Sequence, residues 1–173
     1  GLTAALHAHE AGHTVILVTK GAIGDGCTAL AQGGVAGAYG PGDSALSHAA
    51  DTRIAGAGMV DDAAVDVLVT DGPARIAELI ARGVAFDSAP DGTLLLGREA
   101  AHSHARIVHA GGDATGSEIQ RALSGSAPAT VSGAVALSVL VGPHGAAGVT
   151  VMPTEAGSEI RGLGTVHAPA VLL

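Results

Sequence analysis

The residues best equipped for chemistry lie together. Between Gly97 and Gly116 stand Arg98, Glu99, His102, His104, Arg106, His109 and Asp113, the densest mixed set of titratable groups in the chain. No helical or strand period runs through them, so they read as a loop that carries a site. Arginines and a carboxylate recognise charged groups, and imidazoles hold or move protons near neutral pH. Two other readings fit the same residues. One is a solvated polar loop, because loops concentrate such side chains anyway. The other is a metal site built from His102, His104, His109 and Asp113. The His102-x-His104 pair would suit a strand, but no thiolate joins it, and zinc sites use tight Cys or His pairs at fixed spacing. No metal is expected.

A second stretch has the opposite character. Cys27-Thr28-Ala29-Leu30-Ala31-Gln32-Gly33-Gly34 begins small and polar and ends on Gln and two glycines. Without a Cβ, the backbone can come close to a large flat or anionic ligand, or take angles closed to other residues. A plain surface loop is the alternative.

The elements that must position these stretches follow from patterning. Leu2, Ala5, Leu6 and His9 recur at helical spacing, which predicts a helix over residues 1–12 ending at Gly12. Thr14 to Val18 is a continuous apolar and β-branched run, as in a buried parallel strand. A helix followed by such a strand is the later part of a β-α-β unit. Gly1 would then be the last glycine of a G-x-G-x-x-G turn facing a pyrophosphate. Thr19 and Lys20 stand where that fingerprint carries an acidic ribose ligand. Asp43-Ser44 is suited to cap a helix over 45–57, and Asp61 or Asp62 one over 63–70. Pro73 fits the first turn of a further helix to about Arg82, which Gly83 ends. Residues 84–96 read as a hairpin around Pro90-Asp91-Gly92, and Thr115-x-x-Glu118 as a capping box opening a helix through Leu123. Three β-rich runs follow, over 130–141, 146–154 and 159–173, turning at Pro143-His144-Gly145 and Ala156-Gly157-Ser158. The class expected is α/β with a β-meander in the C-terminal third. His7, His9, His13, His48, His144 and His167 read as surface or helix-face residues without a special role.

Composition bounds the rest. A length of 173 residues suits one domain or a large piece of one. Hydrophobic residues make up 47% but aromatic residues only 1%, so the core must be built from Ala, Val, Leu and Ile. A net charge of -8 argues against nucleic acid or an anionic membrane held by a basic surface. The single Cys27 excludes an internal disulfide. No apolar run reaches the roughly 18–20 residues that span a bilayer, and none reads as a signal peptide. The start on Gly1 and the apolar run 168–173 at the end read as the borders of an internal piece of a longer protein.

Several segments, in order, carry a resemblance. They are Val18-Thr19-Lys20-Gly21, Cys27 to Gly34, Asp43-Ser44 with His48, Asp51-Thr52, and Ala55-Gly56. Arg98-Glu99 with His102-Ser103, Arg106, His109 and Asp113-Ala114-Thr115-Gly116 complete the set. Together they resemble the L-aspartate oxidase family, flavoproteins that open de novo NAD biosynthesis in bacteria. The likeness runs over essentially the whole chain, although Ala31-Gln32-Gly33-Gly34 alone is shared with the wider succinate dehydrogenase and fumarate reductase flavoproteins.

The resemblance implies that residues 1–173 are part of a Rossmann-like FAD/NAD(P)-binding domain. The first strand with its glycine turn and a capping domain would lie outside them. By it, Lys20 matches the lysine after the second strand that contacts FAD, and Cys27, Thr28, Ala29, Leu30, Ala31, Gln32, Gly33 and Gly34 match the loop that runs past the flavin. Glu99 matches the glutamate that faces the substrate amino group, with His102 and Ser103 as its His-Ser neighbours. Two departures stand out. The family usually has Ser at Cys27, and glycines at Ala100 and Ala101. Succinate dehydrogenases carry at the Cys27 position a histidine bonded to FAD, so non-covalent FAD is implied here. A Glu99 carboxylate pairs with an ammonium group, whereas a plain dicarboxylate would leave it unpaired. The implied activity is FAD-dependent oxidation of L-aspartate to iminoaspartate with oxygen or fumarate as acceptor. The implied setting is cytoplasmic, with quinolinate synthase as a possible recipient of the product. The piece alone is expected to bind FAD weakly or not at all. A fumarate reductase or succinate dehydrogenase-like dehydrogenase, and a non-catalytic gene remnant, are the alternatives.

Overall fold

The structure is a computed structural model that describes residues 1–154 and 161–173. The chain forms two compact units, one from Gly1–Gly26 with Leu123–Leu173 and the other from Cys27–Ala122.

In the first unit, α1 (Leu2–Glu10) buries Ala5 and Leu6 and ends at Gly12 as its pattern predicts, with the Gly12 N–H on the His9 carbonyl at 2.9 Å. β1 (Leu17–Val18) pairs in parallel with β5 (Thr130–Val131). The parallel pairing matches expectation but the strand is shorter and only half-buried, and Ile16 is 49% exposed. Among the described residues β5 is its one neighbour, so neither its length nor both its faces are covered. β6 (Ala134–Gly142), β7 (Gly145–Pro153) and β8 (Gly164–His167) make the predicted antiparallel meander, turning at Pro143-His144. The last strand stops at His167 instead of running to Leu173. The Ala168 N–H makes a final bond to Ala147 O at 3.1 Å, and Pro169 has no N–H to continue the ladder. Leu173 is 94% exposed. The expected turn at Ala156-Gly157-Ser158 and the strand start at Glu159 lie outside the described residues.

In the second unit, β4 (Ile107–Val108) is the central strand of a three-stranded antiparallel sheet, between β2 (Val35–Ala36) and β3 (Leu96–Gly97). Val108 is fully buried in a core with Ile76, Val84, Phe86, Ala110 and Ala122, and Tyr39 packs against it. Both aromatic residues of the chain therefore serve this one core. α2 (Ala45–Ala55) starts where predicted, with Ser44 Oγ accepting from the Ser47 N–H at 3.1 Å. α3 (Asp62–Ala81) is capped by Asp61, whose Oδ1 accepts from the Ala64 N–H at 2.9 Å. It corrects the two-helix expectation, because it continues through Pro73. The proline removes one backbone donor. Burial holds the helix on either side of it: Val65 and Val69 pack with Ala49 of α2, and Ile76 enters the main core.

The Pro90-Asp91-Gly92 turn is formed, closed by the Ala89 N–H on Thr93 O at 2.8 Å, although the hairpin beside it is reduced to a bridge between Ser88 and Leu94. α4 (Thr115–Ser124) begins at the predicted residue without the predicted box. Thr115 Oγ1 accepts instead from the Ala110 N–H at 3.0 Å. The Glu118 carboxylate is taken by Arg121 at 2.7 Å and by the Ala85 N–H at 2.8 Å, and these partners, Arg121 first, bring its pKa down to about 2. Tertiary partners outcompeted the local cap.

Candidate functional site

Residues 98–106 connect β3 to β4, and the ladder on both sides of β4 fixes where they start and end. The Arg106 N–H bonds Gly97 O at 3.0 Å, and Arg106 O accepts from the Gly37 N–H at 2.9 Å. The loop opens with a β-turn in which the His102 N–H reaches Glu99 O at 3.2 Å. Ala101, third in that turn, has φ 72°, a left-handed value that favours glycine. Glu99 is half exposed, and its Oε1 lies 3.0 Å from Nε2 of His109, just past β4.

The His109 ring occupies space that two glycines leave open. A Cβ on Gly97 would come within 2.8 Å of its Cε1, and one on Gly34 within 2.9 Å of its Cδ2. The carboxylate-bearing loop and the glycine end of the ribbon therefore meet at this imidazole. Beside it, Asp87, Leu95, Leu96, Gly97, His109 and Gly112 line an open depression of about 350 Å³.

Beneath the loop lies a charge network. The Arg106 guanidinium, fully buried, donates from Nε and Nη2 to the two oxygens of Asp43 at 2.9 and 2.7 Å, and from Nη1 to Asp51 Oδ2 at 2.9 Å. Asp51 Oδ2 also accepts from the backbone N–H and the hydroxyl of Ser103, both at 2.8 Å. Those Ser103 bonds, followed by Arg106, hold the Asp51 carboxyl below the usual carboxylate range. Ser47 and Asp51 share one face of α2 at i, i+4 spacing. Ser47 Oγ adds contacts to Arg106 Nη2 at 3.2 Å and to His104 Nδ1 at 3.2 Å.

Ser103, expected at the substrate, thus donates its hydroxyl hydrogen bond to Asp51 of this same chain. His102 rests its ring on His48, with centroids 5.6 Å apart, and neither Nδ1 has a partner among the described residues. His48 is 3% exposed and lies on α2, so of the two places read for it, surface or helix face, it takes the helix face, and a buried one. Burial, then the nearby Arg106 charge, lowers its pKa.

The ribbon is built differently. Cys27–Leu30 makes one 3-10 turn, and residues 31–34 lead into β2. The Gly116 N–H bonds Ala31 O at 3.0 Å, and a Cβ on Gly116 would run into the carbonyl of Thr28 and into Ala31. α4 can approach so closely only because that residue is glycine. The outer side is bare. Leu30 is 80% exposed, Cys27 is a free exposed thiol, and the Thr28 hydroxyl and Gln32 carboxamide have no partner among the described residues. Lys20 and Gly1 belong to the other unit. Lys20 follows β1 and its carbonyl accepts from Thr154 Oγ1 at 3.1 Å, and Gly1 caps α1. Among the described residues no group of three or more His, Cys, Asp or Glu is placed to hold a metal ion.

The family model described as an FAD binding domain matches residues 1–173. The chain belongs to this FAD-binding family. The L-aspartate oxidase of Streptomyces coelicolor is 49% identical over 178 residues, which is 100% of this chain and 30% of that protein. The L-aspartate oxidase of Mycobacterium tuberculosis is 41% identical over 177 residues, 100% of this chain and 32% of that protein. The chain therefore spans about a third of each of these two relatives, and 19% of the chloroplastic L-aspartate oxidase of Arabidopsis thaliana. Among solved structures, Mycobacterium smegmatis Sdh1 in complex with UQ1 superposes with a TM-score of 0.86 at 26% identity, over 98% of this chain and 31% of that one.

For a member of the FAD-binding family, the parts invisible to sequence reasoning are the Asp43–Arg106–Asp51 network and the place of His109. The sequence shows both sets of residues but pairs none of them. The only local signal was the spacing of Ser44, Ser47 and Asp51 on one helix, since Asp43 and Arg106 lie 63 positions apart.

Proposed function

We propose that this chain is part of the FAD-binding domain of an L-aspartate oxidase, and that residues 1–173 belong to that one domain. The observation that carries the reading is the meeting of Glu99, His109 and Gly34, which sets a carboxylate beside the glycine end of an exposed ribbon. The residues suit FAD. Thr28 and Gln32 offer unpartnered polar groups on a surface of small side chains, and Gly33 leaves open space beside its Cα. On this reading Cys27, Thr28, Ala29, Leu30, Ala31, Gln32, Gly33 and Gly34 flank the flavin, and Lys20 and Gly1 are further candidate FAD-binding residues by the family resemblance. FAD, when bound, supplies the hydride acceptor for oxidation of L-aspartate at Cα to iminoaspartate. Glu99 binds the substrate ammonium by a charge-assisted hydrogen bond and orients Cα. His102 and Ser103 line the same loop, although Ser103 Oγ is already engaged by Asp51, by His104 Nδ1 at 3.0 Å and by Ser47 Oγ at 3.3 Å.

Oxygen or fumarate would take the electrons, and the reaction would be the first step of de novo NAD biosynthesis in the cytoplasm, with quinolinate synthase as a recipient of its product. No helix among the described residues is long and apolar enough to cross a membrane. The fold likeness to Sdh1 supports a second reading, a fumarate reductase or succinate dehydrogenase-like FAD-dependent dehydrogenase. The complete protein bearing Glu99→Gln separates the two. Aspartate oxidation should fall by at least about a hundredfold while fumarate reduction falls less than about fivefold, on the scale of a lost charge-assisted contact. Equal losses would overturn the aspartate reading.

A further inference from the structure

Glu99 is only half covered and sits on an exposed turn, so a free carboxylate there would sample several rotamers. A single side chain restrains it. His109 Nε2 lies 3.0 Å from Oε1, and among the described residues Oε2 has no partner. The imidazole in turn has little freedom, wedged where side chains on Gly34 and Gly97 would collide with it. We propose that His109 is a positioning residue for amino-acid specificity, holding Glu99 by Oε1 so that Oε2 points to a substrate ammonium group. The inference rests on the proposed function and adds to it the residue that decides between an amino dicarboxylate and its amine-free analogue.

The chemistry requires Nε2 to carry the proton, because a carboxylate only accepts. That assignment defines the test. In His109→Gln the amide nitrogen reaches about as far as Nε2 and still donates. In His109→Asn the donor stops short. Both are made in the complete, FAD-loaded protein. The KM for L-aspartate is measured, and succinate binding is measured by titration calorimetry, which reads the site apart from turnover. H109N should raise the KM for L-aspartate by about tenfold, the weight of one hydrogen bond to a charged group. H109Q should stay within about threefold. Succinate, which has no amine, should bind within about twofold of normal in both.

Variants that behave alike, or succinate binding that weakens as much as the KM for aspartate rises, would overturn the proposal, as would insolubility of both. If the unsubstituted protein does not oxidise aspartate, the proposed function has failed first. Normal oxidation with no difference between H109N and H109Q refutes the role of His109 alone.

Discussion

The ribbon 27–34 and the loop 98–106 border the same three-stranded sheet, yet they are held in opposite ways. The ribbon is shaped by backbone alone: one 3-10 turn, a bond from Gly116 to Ala31, and glycines where a Cβ would collide. Its side chains are exposed and largely unpartnered. The loop is clamped from below by side chains, with one guanidinium between two carboxylates and Ser103 tied twice to the nearer of them. A ribbon of that kind offers its outer surface to something other than this chain. A loop of that kind has its inner charges already matched and presents only its tip, Glu99. Buried ion pairs add little net stability but are costly to break, so we read the network as fixing the path of the loop.

The contrast breaks most visibly at Arg106. Arg106→Met keeps the length of the stem but takes the guanidinium from Asp43, whose side chain is fully buried, and from Asp51, leaving Ser44 N–H and His104 beside the first and Ser103 on the second. Unfolding in denaturant should show a loss of about 3–5 kcal/mol. Proteolysis should then cut first within residues 98–105. Stability equal to that of the unsubstituted chain would mean that the network does not clamp the loop. The ribbon side should respond less. Gly116→Ala puts a methyl against the Thr28 carbonyl and Ala31, so α4 or the ribbon must shift, at about 1–3 kcal/mol. In the complete protein, FAD affinity should fall in G116A more than in R106M once each is corrected for stability, because only the former deforms the proposed flavin surface. The reverse order would exchange the roles given to the two regions.

How far these regions were legible in the sequence follows the same division. Local chemistry was readable. Ser44 and Asp61 cap helices, Pro90-Asp91-Gly92 turns, and the β-rich runs after Ala129 pair as a meander. Features set by distant partners were not. Thr115 and Glu118 have the residue types of a capping box, but Ala110, Ala85 and Arg121 took them. Pro73 reads as a helix start, but burial of Val65, Val69 and Ile76 carried the helix through it. In the site, Glu99 and the ribbon were recognisable as motifs. The network was not, because nothing in a linear pattern says that Arg106 pairs with Asp43 rather than with water. His48 reads as surface or helix face for the same reason: which of the two a histidine on a helix takes shows only when the covering loop is known.

The smallest expected effect probes the one place where the loop departs from the way the ribbon is built. The ribbon uses glycine where the backbone demands it, while the loop carries Ala101 at φ 72°. A left-handed alanine is disfavoured by about 1–2 kcal/mol, and glycine would relieve that. Glycine also loosens the unfolded chain, which offsets about 0.4–1 kcal/mol. Ala101→Gly should therefore raise stability by about 0.5 kcal/mol, read as a small rise in Tm. Ala100→Gly, at a residue with no positive φ, has no strain to relieve and should lower it by a similar amount. The sign carries the argument. The turn that strains Ala101 is closed by the His102 N–H on Glu99 O and braced by Arg98 Nε on His102 O at 3.0 Å. If A101G destabilises the protein, this turn is not the one adopted in solution. Glu99 would then leave the strand end at another angle, and its approach to His109 would have to be rebuilt.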